Sequence, residues 1–109
     1  MPRVLNKRTD IIPPDAIYVG RPSKWGNDMT LRELKEMFPS YTLEELHQEA
    51  VNWFRRYAAA RLEREPDWLK PLKGKDLVCW CSPLPCHADI LLALANNLPI
   101  KSYLELANA

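Results

Sequence analysis

Leu77-Val78-Cys79-Trp80-Cys81-Ser82-Pro83-Leu84-Pro85-Cys86-His87-Ala88-Asp89-Ile90-Leu91-Leu92 holds all three cysteines and one of the two histidines of this 109-residue chain. The nearly unbroken apolar run from Asp76 to Cys81 predicts a short strand covered on both faces, as in a parallel sheet. Pro83 and Pro85 bound a tight turn. From Cys86 to Asn96 the spacing predicts a helix with Ile90, Leu91, Leu94 and Ala95 turned inward, ended by Asn96-Asn97-Leu98-Pro99. A thiol and an imidazole at a helix start meet its positive field and unsatisfied backbone N–H groups. Chemistry is therefore expected at this strand–turn–helix.

Working outward, Arg3 to Asn6 predicts a first strand, closed off by Pro13 and Pro14. Ala16-Ile17-Tyr18-Val19 predicts a second, ended by Gly20. Gly20 to Asp28 has neither helical nor strand period and reads as an ordered loop. Thr30 with Glu33, and Thr42 with Glu45, are capping-box pairs that open two helices. The first carries Leu31, Leu34, Met37 and Phe38 and stops at Pro39. The second, longer helix carries Leu43, Leu46, Ala50, Trp53, Phe54, Tyr57 and Leu62 at spacings of three and four, with its aromatics in the core. On that helix His47 is expected at the surface, and Arg55, Arg56, Arg61 and Arg64 on a solvated, charge-laced face. Glu65 to Pro71 is a break holding one short helical turn, and Gly74 ends the connection. The tail, with Tyr103, Leu104 and Leu106, is expected to dock as a last helical turn.

The order strand, strand, helix, helix, strand, helix predicts an α/β fold: a small three-stranded, mostly parallel sheet with packed helices, a Rossmann-like minimal domain. Residues 1–109 are expected to form a single domain. Apolar residues make up 47% of the chain, enough for one modest core. A charged fraction of 27% with net charge +1 argues against disorder and against a polyanion-seeking surface, so nucleic-acid binding would need a local basic patch. No apolar run approaches the ~20 residues that cross a bilayer, and no membrane partner is expected. The opening residues have basic side chains but no apolar stretch, unlike a signal peptide. A cytoplasmic location is expected, where thiols persist. Cys79 and Cys81 are too close and too extended to pair with each other comfortably.

Alternation along the strand places Cys79 and Cys81 on one face and Val78 and Trp80 on the other. Cys79, Cys81, Cys86 and His87 are the right ligand types for zinc. The spacing argues against it, because adjacent residues such as Cys86 and His87 are expected to diverge. No cofactor is therefore expected, with zinc kept as an alternative. The functional alternative makes Cys86 a helix-stabilised thiolate and His87 an acid–base group or anion donor, and these are the catalytic candidates. Inert core thiols remain the bland alternative. In the loop, Gly20 and Gly26 allow close approach, Arg21 and Lys24 suit phosphate or carboxylate, Trp25 offers a stacking face, and Asn27 can bond a base or ribose edge. Cys81 and Asp89 complete the candidate ligand-binding set.

Tyr18 to Asn27 and Gly74 to Leu91 together resemble the family called domain of unknown function 4326, found in tailed phages and bacteria. The resemblance spans nearly the whole chain, and its pattern matches at Gly20, Arg21, Trp25, Gly26, Asn27, Trp80, Cys81, Pro83, Cys86, His87 and Asp89. The chain departs from it at Asp28-Met29, where proline and an aromatic are usual, and at Ala88, where glycine often stands. A looser similarity, to domain of unknown function 488, places Cys-His at a helix start in the same way. The resemblance implies no activity, and a phage-encoded member would work in the host cytoplasm.

If the strands before the two motifs are parallel neighbours, both motifs meet at one sheet edge. The expected function is binding of a nucleotide, nucleobase or phosphorylated small molecule there, with any chemistry at Cys86 or His87. Whether the protein is an enzyme stays open. The alternatives are a phage-encoded module that binds a host protein without catalysis, a nucleic-acid binder, and a small zinc-stabilised structural domain.

Overall fold

The computed structural model describes residues 2–80 and 86–97. Its centre is a three-stranded sheet of β1 (Val4–Asn6), β2 (Ile17–Tyr18) and β3 (Leu77–Cys79), in the order β1-β3-β2. Both pairings are parallel, with Val4 and Ile17 opposite Leu77, and Asn6 opposite Cys79. Leu77, Val78 and Cys79 are all buried, as the unbroken apolar run predicted for a central parallel strand. β3 is shorter than predicted at both ends. The Asp76 carboxylate accepts the Arg3 N–H at 3.0 Å, and Trp80 has already left the sheet and is 48% exposed.

This is an α/β fold, with helices α1 (Leu31–Met37), α2 (Leu43–Arg64) and α3 (His87–Ala95) and a 3₁₀ turn at Lys70–Leu72. The chain passes from β1 to β2 through residues 7–16 without a helix. That path is not the strand–helix alternation of a dinucleotide-binding fold, so the Rossmann-like label does not follow from it. Cys81, the predicted turn at 82–85 and the predicted docking of Tyr103, Leu104 and Leu106 lie outside the described residues.

The helices start where their caps dictate. Thr30 Oγ1 accepts the Glu33 N–H at 3.1 Å. Thr42 and Glu45 exchange bonds reciprocally, at 3.2 and 2.9 Å. Behind that box α2 buries Leu46, His47, Ala50, Val51, Phe54 and Ala58. Leu43 precedes the first buried turn and is exposed, and Trp53 and Tyr57 are half-buried. His47 corrects the surface expectation: it stands three and four residues before Ala50 and Val51, on the buried stripe. α3 buries Ala88, Ile90, Leu91 and Ala93, while Leu94 and Ala95 are half-buried against the core. The main core joins Val19, Phe54, Leu72, Leu77, Ile90 and Leu91, and a smaller cluster joins α1 to α2 through Leu34, Leu46 and Ala50. No helix among the described residues is long and apolar enough to cross a membrane.

Candidate functional site

Because all three strands are parallel, their carboxyl ends share one edge, and the loop after β2 and the start of α3 line a cleft there. The loop after β2 is held by two unlike anchors. At its far end Trp25 Nε1 donates to the Trp68 carbonyl at 3.0 Å, and Arg61 and Trp68 Nε1 both donate to the Lys24 carbonyl, at 3.2 and 3.3 Å. The Arg61 guanidinium lies 4.5 Å from the Trp68 ring centroid and also donates to Tyr57 Oη and Glu65. Burial works against its charge, but the bonds to Glu65 and Tyr57 outweigh that and raise its pKa. Arg61 therefore clamps the loop instead of sitting on a merely solvated face.

The second anchor is Asn27. Its Nδ2 donates to the Ala50 carbonyl in α2 at 3.1 Å, and its Oδ1 accepts the Met29 N–H at 3.0 Å. Between the anchors the chain turns back so tightly that a β-carbon on Gly26 would stand 3.2 Å from both Cα and N of Arg21. At Gly20 a β-carbon would overlap the Tyr18 phenol. Tyr18 Oη donates to the Arg21 carbonyl at 2.8 Å and accepts from Trp80 Nε1 at 3.0 Å. The Arg21–Pro22 peptide is cis.

Opposite this loop, Cys86 immediately precedes α3 as its N-cap, and its N–H donates to the Asp89 carboxylate at 3.2 Å. His87 is buried with its ring edge-on to Phe54, the centroids 5.1 Å apart. Its Nε2 lies 2.8 Å from the carbonyl oxygen of buried Val19. A carbonyl only accepts, so Nε2 carries the proton and Nδ1 presents a lone pair in the neutral ring. That lone pair faces two sulfurs, Cys86 Sγ at 3.6 Å and Cys79 Sγ at 4.0 Å. All three ligand atoms lie within 4.8 Å of one another. Cys86 and His87 thus converge, contrary to the spacing argument. The extended backbone at Cys86, with φ −143° and ψ 147°, lets its thiol and the imidazole of the first helical residue reach one point.

A cleft of about 390 Å³ opens where these parts meet. Gly20, Arg21 and Asn27 line it from the loop, and Cys79, Cys86 and His87 from the sheet edge and α3. Lys24, Trp25, Gly26 and Asp89 are not among its lining residues, and Cys81 lies outside the described residues. Trp25 and Lys24 belong to the clamp, Gly26 to the turn and Asp89 to the start of α3. Sequence reasoning missed His47, Tyr18 and Trp80 as lining residues. For His47 the signal was present in the 47-50-54-58 spacing on α2. Beside two of the aromatic residues that line the cleft stand cations: Lys7 Nζ is 4.6 and 5.4 Å from the Tyr18 and Trp80 ring centroids, and Arg8 is 5.7 Å from that of Trp80. The Arg21 side chain is exposed and forms no ion pair with a carboxylate among the described residues.

Residues 3–97 match the family described as a domain of unknown function, DUF4326, and the chain belongs to that family. It is also similar to an uncharacterized 12.4 kDa protein from the nrdA-td intergenic region of Enterobacteria phage T4, with 50% identity over 30 residues. That match covers 28% of each chain. No solved structure matches.

Proposed function

We propose that this protein binds a small phosphorylated molecule, of nucleotide size or smaller, in the cleft at the carboxyl edge of its sheet. The observation that carries this reading is the meeting, around one opening, of Arg21, which has no carboxylate partner among the described residues, and a buried thiol–imidazole wall. A volume of about 390 Å³ falls within the ~300–1,000 Å³ of small-molecule sites. Arg21 lines the cleft, and Lys7 and Arg8 stand against its aromatic residues Tyr18 and Trp80, a local positive charge that the chain's net +1 does not reveal. Arg21 supplies a forked donor for the phosphate, and Tyr18 and Trp80 supply aromatic surface beside it. The test is calorimetric titration with AMP, ribose 5-phosphate and uncharged adenosine. The two phosphorylated compounds should bind and adenosine should bind much more weakly, with Arg21→Ala removing that difference. Equal binding of all three, binding of none at millimolar concentration, or an unchanged preference in the Arg21→Ala protein would refute the proposal.

A further inference from the structure

We infer that Cys79, Cys86 and His87 hold one thiophilic divalent cation, zinc being the best match, on the wall of the cleft. The first support is distance. Zinc–sulfur and zinc–nitrogen bonds of about 2.3 and 2.05 Å at tetrahedral angles place sulfur about 3.6 Å from nitrogen and the two sulfurs about 3.8 Å apart. The structure has 3.6 and 4.0 Å between Nδ1 and the sulfurs, with all three atoms inside 4.8 Å. An ion therefore needs inward movements of under about 1 Å from side chains already aimed at a common point. A fourth ligand comes from outside these three.

Tautomer control is the second support. A ligating histidine characteristically donates its other ring N–H to a carbonyl or carboxylate, which fixes the ring and raises the basicity of the ligating nitrogen. Val19 provides that acceptor at 2.8 Å, and Phe54 packs edge-on to the ring. Two hydrogen-bonded thiols alone would not require the imidazole to be fixed on both sides. The third support is burial. Cys79, Cys86 and His87 are each less than 10% exposed, so a soft dication held by their sulfur and nitrogen atoms would be shielded from competing water. On loading, each thiol gives up its proton to solvent as its sulfur binds the ion, so no electron transfer is involved.

The cation does not depend on what fills the cleft, so it is tested on the full chain without any phosphorylated compound. Chelator-stripped protein is titrated with Co²⁺, read by the sulfur-to-cobalt charge-transfer band and the intense visible bands of tetrahedral thiolate coordination. Zinc competition then gives stoichiometry and affinity. One ion per chain is expected. Cys79→Ser, Cys86→Ser and His87→Ala should each weaken it at least as much as the roughly 10–100-fold that losing an outer partner brings. Any of these variants that fails to fold is replaced by a measurement on the wild-type chain. Zinc should protect Cys79 and Cys86 from alkylation, mapped peptide by peptide, and chelator should reverse the protection. Absence of the charge-transfer band from folded wild-type protein overturns the inference. So does alkylation of Cys79 and Cys86 at the same rate with and without zinc, or undiminished cobalt binding in a folded triple variant.

Discussion

Replacing Asn27 with alanine separates a ligand-contacting asparagine from one that pins the loop. Asn27 is 9% exposed and its amide is used in two directions, to the Ala50 carbonyl at 3.1 Å and from the Met29 N–H at 3.0 Å. The two losses are unequal. Ala50 lies inside α2, so its carbonyl keeps a helical partner and the loss is one net hydrogen bond, about 1 kcal/mol. The half-buried Met29 N–H loses its acceptor, which costs about 1–2 kcal/mol more. Asn27→Ala should therefore destabilise the fold by about 2–3 kcal/mol. In equilibrium urea unfolding, followed by tryptophan fluorescence and far-ultraviolet circular dichroism, the midpoint should fall by roughly 1–2 M. Asn27→Asp sharpens the test, because it keeps the acceptor for Met29 but turns a carboxylate oxygen toward the Ala50 carbonyl. Burial raises that carboxyl's folded-state pKa above its unfolded value, so the variant gains stability relative to wild type as pH falls through that interval. The neutral acid can then donate to Ala50. An Asn27→Ala protein within about 0.5 kcal/mol of wild type, the range of an ordinary surface change, would refute the pinning argument.

Arg61→Lys keeps the charge but loses the planar fork that reaches Glu65, Tyr57 and the Lys24 carbonyl, and should lower stability by about 1–2 kcal/mol in the same urea assay. Gly26→Ala forces a β-carbon against the Arg21 backbone and should destabilise by about 1–3 kcal/mol, with faster amide exchange across residues 20–27. Leu72→Ala, at a fully buried site, should cost about 2–5 kcal/mol and be visible as a lowered thermal midpoint. Thr42→Ala opens the capping box of α2 and should cost about 1 kcal/mol, with little change in the cleft as judged by ligand titration.

The elements and their order were legible because each carries a local signal. The run Leu77-Val78-Cys79 is apolar on both faces, and it became the central strand with both neighbours parallel. The Thr42–Glu45 box set the start of α2 to the residue. Convergence of the two motifs on one edge followed from that parallel arrangement. What was hidden depends on tertiary partners. Arg61 looked like one member of a charged face, yet its role depends on Trp68 and the Lys24 carbonyl, which are remote in sequence. Trp25 has the chemistry of a stacking platform, but its Nε1 found the Trp68 carbonyl and drew the ring away from the cleft. The meeting of Cys86 with His87 was misjudged because adjacent residues diverge within a helix, whereas Cys86 is the extended residue just before one.

These placements change the meaning of the Gly-Arg-Pro-Ser-Lys-Trp-Gly-Asn motif. Read as a string, it is a set of ligand donors. In the fold, its Lys24, Trp25 and Asn27 bonds face the protein, toward Arg61, Trp68, Ala50 and Met29. Gly26 lets the returning chain pass against Arg21. What this framework holds in place is the short segment at its start. The Val19 carbonyl fixes the His87 ring, and Gly20 and Arg21 form the near wall of the cleft. A loop that bound its guest by adapting to it would not need anchors on both sides of a glycine turn. One that must keep a carbonyl 2.8 Å from an imidazole nitrogen does need them, because a shift of an ångström would break that bond and release the ring from the two thiols.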